Sequence, residues 1–254
     1  MPVFFPTATG RSGQNLQRHS DHHNSYNIEL GSCPKGFETM VFIPEADPRQ
    51  HDVAQLDMAE IPDVPPHELF ASWYELASEK EPADPNAFTL ATRDDEGMPD
   101  ARILLFKGFN DQGLTFYTNS HSAKGQQMAE HPLAAAVIHW KSILRQVRLQ
   151  GHVVSVADEE ADAYFQSRAR NSQIGAWASN QSHRINSRDE LENKYHEIEK
   201  YFGDGPIPRP PHWTGFRLEP IKIEFWKNGP FRLHHRRYFQ KNEHGLWTSE
   251  TLSP

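Results

Sequence analysis

The sequence predicts a mainly β (α+β) fold, a small antiparallel barrel with flanking helices. Three observations predict it. Short runs of apolar residues, several of them alternating with polar ones, recur from residue 87 onward. Gly-bearing turns, DDEG at 94–97 and NDQG at 110–113, separate neighbouring runs, as antiparallel hairpins require. Helical spacing is confined to a few stretches set between those runs.

The organised part begins at Pro66. HELFASWYELASEKE puts Leu69, Phe70, Trp73, Leu76 and Ala77 on one helical face. Strands follow at 87–92, 101–108 and 114–118. A short helix starts at Ser122 and stops near Pro132. Residues 133–140 and 144–156 read as strands, and Gln146, Val147, Arg148, Leu149 and Gln150 alternate, so one face is buried. Asp158 opens a helix with acids in its first turn. A further helix carries Leu191, Tyr195, Ile198 and Phe202 at helical spacing, with Ser187 and Glu190 at capping-box spacing. A Pro-rich connection leads to three closing strands, FRLEPIKIEFW, FRLHHRRYFQ and GLWTSET.

Composition narrows the class. A chain of 254 residues with 15 Phe, 7 Tyr and 6 Trp buries a real core and is not disordered throughout. A net charge of -8 argues against a broad nucleic-acid surface. No run approaches the about 20 apolar residues of a membrane helix, so neither nucleic acid nor membrane is an expected partner. Cys33 is the single cysteine, which excludes an internal disulfide and a cysteine-based metal site and fits a reducing compartment.

Residues 1–65 differ from the rest and are expected to form a poorly ordered extension and linker; residues 66–254 form the functional domain. The HSDHHNS cluster at 19–25 reads as a solvated tail rather than a metal site, and IPDVPP at 61–66 as a stiff linker. The start of the chain lacks acids up to Asp21, as transit peptides do, but Pro2, Pro6, Gly10 and Gly13 break the helix such peptides need. A cytoplasmic location is expected, with organellar targeting by the extension as the alternative.

No glycine-rich phosphate loop, nucleophile elbow or zinc-protease motif is present. Cations instead sit in or beside apolar strands and helix ends: Arg102, Lys107, Lys124, Arg168, Arg170, Arg232, Arg236 and Arg237. Each one taken alone is expected to pair with one of the 34 acids. As a set they suit a bound phosphate, which helix starts also favour. SQIGAWASNQS at 172–182 reads either as a surface loop anchored by Trp177 or as a hydrogen-bonding rim for a planar polar ligand.

Together, RILLFK (102–107), FYTN (116–119), RQV (145–147), YFQSR (164–168), NSQIGAWASNQS (171–182), EFW (224–226) and RLHHR (232–236) closely resemble the pyridoxine/pyridoxamine 5'-phosphate oxidase family. The resemblance spans about residues 66–254. It implies an antiparallel split β-barrel and a homodimer with FMN at the interface. Arg102, Ile103, Leu104, Leu105, Phe106, Lys107, Tyr117, Thr118, Lys124, Gln146, Gln181, Ser182, Trp226 and Arg236 are the implied FMN contacts. Lys107, Tyr164, Arg168 and Ser172 are implied to hold the substrate phosphate, with Arg232 and His234 catalytic beside the pyridine ring.

The implied reaction oxidises pyridoxine or pyridoxamine 5'-phosphate to pyridoxal 5'-phosphate, with O2 as acceptor and H2O2 as product. Three departures stand out, one being that no segment carrying Arg and Tyr, which covers the active site in some members, is evident at His51–Pro66, where it would be expected. Ala123 replaces an arginine common in the family, and His235 replaces an acid. The alternatives are a non-catalytic binder of FMN or pyridoxal phosphate, and a split-barrel flavin oxidase of another aromatic compound.

Overall fold

A computed structural model of the chain describes Asp57 and residues 59–254. The histidine cluster at 19–25, Cys33 and most of the expected extension lie outside the described residues. α1 (Pro66–Lys80) leads into β1 (Ala87–Arg93), β2 (Pro99–Phe109) and β3 (Leu114–Asn119). α2 (Ala123–Glu130), β4 (Leu133–Trp140) and β5 (Arg145–Ser155) come next. Three helices follow, α3 (Asp158–Ser167), α4 (Arg170–Ala178) and α5 (Arg188–Phe202). β6 (Trp213–Lys227), β7 (His235–Lys241) and β8 (Trp247–Thr251) complete the order.

All pairings are antiparallel, in the order β3-β2-β1-β4-β5-β6-β7-β8, and an extra β3–β6 pairing closes the first six strands into a barrel. β7 and β8 continue the sheet beyond the closure. The expected split barrel is therefore the observed fold.

Period-2 alternation drives the core. β1 turns Phe88 and Leu90 inward, and β5 does the same with Val147, Leu149 and Val153. α1 covers the core with the face the sequence predicts: Phe70 lies 5.7 Å from Phe106, and Trp73 meets Phe225 edge-on at 5.2 Å. A second cluster, Phe165, Ile174, Ile207 and Trp213, binds α3 and α4, with Tyr195, Ile198 and Phe202 of α5 packed against it.

Three local expectations are corrected. Residues 172–182 are neither wholly loop nor wholly rim: α4 takes them up to Ala178. Burial of Gln173 and Ile174, and the bond from Trp177 Nε1 to the Pro208 carbonyl (2.8 Å), outweigh the weak helix preference of Ser and Gly. The late strand begins only at His235, because Pro230–Arg232 forms a 3-10 turn with Phe231 at φ 58° and Arg232 at φ 62°. Gly229 enables that turn, since a Cβ there would lie 2.1 Å from the Leu233 carbonyl oxygen. Finally, residues 61–66 are no free linker: Ile61 is 4% exposed and belongs to the main core.

The packing of Ile61 generates a test. Ile61→Ala should lower unfolding free energy by about 2–5 kcal/mol in urea titrations. Deleting residues 1–50, which precede every described contact, should leave it near the parent value. Equal stability of Ile61→Ala and parent would remove the residue from the core.

Candidate active site

β3 faces both ways, sending Phe116 into the barrel and Tyr117 outward. Gly215 lies opposite Tyr117, and a Cβ there would sit 2.6 Å from the tyrosine ring, so glycine provides the seat. Tyr117 stacks on Tyr164 of α3 (4.0 Å, 18°) and on Trp213 (5.4 Å, 8°). Around this stack runs a cleft of about 360 Å³, lined by Leu104, Tyr117, Thr118, Arg168, Ser172 and Gln181 among others. The Arg168 guanidinium lies 4.9 Å over Trp213, and the Lys107 ammonium 6.0 Å over Tyr164. Burial, and then the charge of Glu160, push the Tyr117 phenol up to about 12, so it is a neutral donor. Its hydroxyl donates to Glu160 Oε1 at 3.4 Å.

Two cations, Arg168 in the cleft and Lys124 behind its Gln181 wall, differ from the others. Lys124 is 8% exposed at the start of α2, where Ser122 caps the helix by accepting from the Gly125 N–H. Its ammonium donates to Gln181 Oε1 (2.9 Å) and Ser122 Oγ (3.3 Å), both neutral. Thr118 Oγ1 donates to the same Gln181 oxygen at 3.3 Å. Burial, reinforced by Arg102, lowers the Lys124 pKa. Burial likewise lowers that of Arg168, whose Nη1 is buried and meets no hydrogen-bond partner among the described residues. Buried cations without counter-charge are costly. A phosphorylated ligand with a planar ring fits both the cations and the aromatic stack.

Arg102, Arg236 and Arg237 follow the simpler expectation of an acid partner. Arg102 pairs with Asp100 and donates to Thr92 Oγ1 (2.6 Å), the Leu90 carbonyl and Gln127 Oε1. Glu224 holds Arg236 at 2.8 Å and Arg148 at 3.2 Å. Arg237 donates to the Ile61 carbonyl at 3.0 Å. Arg170 donates to the Gly203 and Gly205 carbonyls, so it pins α4 rather than lining the cleft.

A second group of predicted residues stands elsewhere on the chain. Gln146, Trp226 and Arg236 form one row across β5, β6 and β7. The Trp226 ring lies 4.7 Å from His234. The Gly229 N–H donates to His234 Nδ1 at 3.3 Å, which puts the proton of the neutral ring on Nε2. Arg232 projects from the adjacent turn, exposed, and is not on the strand where it was expected. None of these five residues lines the cleft, and β1 and β4 separate β5 from β2.

Other predicted residues are placed as follows. Ile103 and Leu105 are exposed on the outer face of β2, 71% and 39% accessible, while Leu104 reaches the cleft. The Phe106 side chain is buried in the core, so only its backbone is available to a ligand. Ser182 is exposed with φ 69°, beside Gln181. Sequence reasoning missed Trp213, Thr92, Gln127, Glu160 and Glu224. Trp213 was legible, because the alternation of WTGFRLE extends the following strand back to it; the others join from distant elements.

Comparison with known proteins bears on the same residues. Residues 77–202 match the family model described as pyridoxamine 5'-phosphate oxidase. Residues 213–254 match the pyridoxine 5'-phosphate oxidase C-terminal dimerisation region. A pyridoxine/pyridoxamine 5'-phosphate oxidase of Caulobacter vibrioides is 54% identical over 189 residues, 74% of this chain and 85% of that protein. Its counterpart from Chelativorans sp. is 50% identical over 205 residues, 81% of this chain and 97% of that protein. The structure of PhzG from Burkholderia lata 383, in complex with tetrahydrophenazine-1-carboxylic acid, superposes with TM-score 0.74 at 29% identity. It covers 79% of this chain and 98% of its own. A pyridoxamine 5'-phosphate oxidase-related FMN-binding protein of Nostoc punctiforme, 20% identical, shares the fold with TM-score 0.61, over 76% of this chain and 99% of its own. Identity of about half over three quarters of the chain, with family models matched at 77–202 and 213–254, means that the chain belongs to the pyridoxine/pyridoxamine 5'-phosphate oxidase family.

Proposed function

We propose that this chain is an FMN-dependent oxidase, a pyridoxal 5'-phosphate synthase acting on pyridoxine 5'-phosphate or pyridoxamine 5'-phosphate. The observation that carries the reading is the buried, unpartnered Nη1 of Arg168 at the cleft that Ser172 also lines. A phosphate dianion would satisfy it. Lys107 and Tyr164, held together by the ring stack, complete that phosphate subsite. FMN would be held by Arg102, Thr118, Lys124, Gln181 and Ser182, by Tyr117, by residues 103–105 and 107, and by the backbone of Phe106. Gln146, Trp226 and Arg236 close the site from the second group.

Those two groups stand on different parts of one chain, so the complete site is assembled in a homodimer, each copy supplying one group. The exposed Ile103 and Leu105 suit burial in such an interface. Arg232 and His234 then lie beside the pyridine ring. Nδ1 of His234 accepts from the Gly229 N–H, which fixes the ring beside Trp226, where it would orient the 4' oxygen or nitrogen.

The substrate loses a hydride from C4' and a proton from its 4' hydroxyl, leaving the aldehyde. With the amine, the product imine takes up water and releases ammonia. The FMN that these residues would hold would supply the hydride acceptor, with O2 as the final electron acceptor giving H2O2. Protein side chains supply the rest: charge-assisted grip on the phosphate, orientation of C4', and exclusion of water.

Purified protein with FMN and either substrate, followed for aldehyde and peroxide, tests this reading. A tetrahydrophenazine carboxylate, the class bound by the PhzG neighbour, serves as the competing substrate; preferential turnover of it would replace the reading. An FMN-loaded protein that turns over neither would be a binder.

Two variants sharpen the assignment. Arg168→Ala removes a charge-assisted contact of ~1.5–3 kcal/mol, so KM should rise roughly ten- to hundredfold with FMN content unchanged. Equal KM values would exclude Arg168 from the subsite. Ala123 is the exposed first residue of α2, next to Lys124, and Ser122 is already committed to capping. Ala123→Arg should therefore tighten FMN binding to the apo-protein roughly tenfold or more, read by fluorescence titration. An unchanged Kd would show that position 123 does not face the FMN phosphate.

A further inference from the structure

Asp57 and residues 59–63 form a strap in which residues 57, 59, 61 and 63 contact successive strands of the sheet. Asp57 reaches the start of β5 and the end of β6 through Arg145 and Lys227. The Ala59 carbonyl accepts from Lys227 Nζ, and the Ile61 carbonyl from Arg237 of β7. Asp63 accepts from Ser249 of β8 at 2.6 Å.

Asp57 is the part of the strap with chemistry to explain. Its Oδ2 lies 3.0 Å from Arg145 Nη2 and 3.3 Å from Lys227 Nζ, and the two side chains are only 13% and 6% exposed. Its Oδ1 accepts from the Ala59 N–H at 3.0 Å. Partial burial would raise its pKa, but the Ala59 N–H, Lys227 and Arg145 outweigh this and hold it below the usual carboxylate range. Arg145 also lies 4.8 Å over the Trp73 ring. Arg145 and Lys227 are direct cross-strand partners, and the next rung of the same ladder is Gln146 and Trp226. Like charges directly opposite on a sheet repel. One shared carboxylate turns that repulsion into a clasp.

We propose that Asp57 is a positioning residue for the rung Gln146–Trp226, which it holds in register by drawing Arg145 and Lys227 together. The proposal rests on the assignment of that rung to FMN. It gives the segment before α1 a role in cofactor binding that its own side chains do not perform by contact.

The test uses the full chain and FMN titrated into apo-protein. Asp57→Asn keeps the shape and removes the charge; Kd should rise about tenfold, with substrate KM at saturating FMN unchanged. Asp57→Glu should recover most of the affinity. Asp63→Asn, on the same strap but away from the rung, should leave Kd at the parent value. If Asp57→Asn does not fold, Asp57→Asn combined with Lys227→Met removes one cation along with the carboxylate and should bind FMN nearly as the parent does. A parent-like Kd for Asp57→Asn, an equal loss for Asp63→Asn, or a tenfold loss in the double variant would overturn the proposal. Trp226→Ala run alongside separates the two readings. If it too leaves Kd unchanged, the FMN assignment of the rung fails; if it weakens binding and Asp57→Asn does not, only the positioning role fails.

Discussion

Everything in this fold depends on β6 being paired along both edges with three different strands. β5 pairs with residues 216–227, while β3 takes residues 213–218 and β7 takes 222–227 on the opposite edge. The edge changes partner between Leu218 and Lys222. Pro220 sits in that gap, where no ladder bond needs its missing N–H. Opposite it, the β5 register slips between Gln150 and Gly151, and a Cβ at Gly151 would lie 2.0 Å from the Glu219 carbonyl oxygen. A proline without a donor and a glycine without a side chain thus let one strand belong both to the closed barrel and to the extension beyond it.

That division also distributes the chemistry. The half of β6 paired with β3 presents Trp213 and Gly215, against which Tyr117 and Tyr164 stack. The half paired with β7 presents Glu224 and Trp226, against which Arg236 and His234 are arranged. Electrostatics differ between the halves too. Around Trp226, Glu224 and Asp57 balance the cations. Beside Tyr117, Lys124 is buried against the neutral Gln181 and Ser122, and Nη1 of Arg168 is buried without a hydrogen-bond partner among the described residues, an arrangement that a bound anion would stabilise.

Much of the fold was legible because its elements obey local rules. The hairpin turns at 94–97 and 110–113, the alternation at 146–150 and the Ser187 cap all depend on neighbouring residues, and all are present. The features that were not legible depend on contacts distant in sequence. α4 is helical because Ile174 and Trp177 find the 202–213 region, and Ile61 is core because the barrel wall is there to receive it. The turn at 230–232 bends where Gly229 meets the backbone of Leu233. For the site, the motifs named the candidate segments, but not their partition between two groups. Spacing along a chain contains no record of which strands lie between two motifs. Trp213 and Glu160 carried no motif of their own and emerged only as partners of residues that did.

The separation of the two residue groups within one chain has a genetic consequence. In a homodimer whose sites each draw one group from each copy, a chain disabled at Lys124 and a chain disabled at Trp226 are both inactive alone. Co-expressed, they form heterodimers in which one site inherits both lesions and the other inherits none. Two null alleles of this gene should therefore complement each other, up to a quarter of wild-type activity in a randomly mixed population, when their lesions fall in different groups. Alleles within the same group should not.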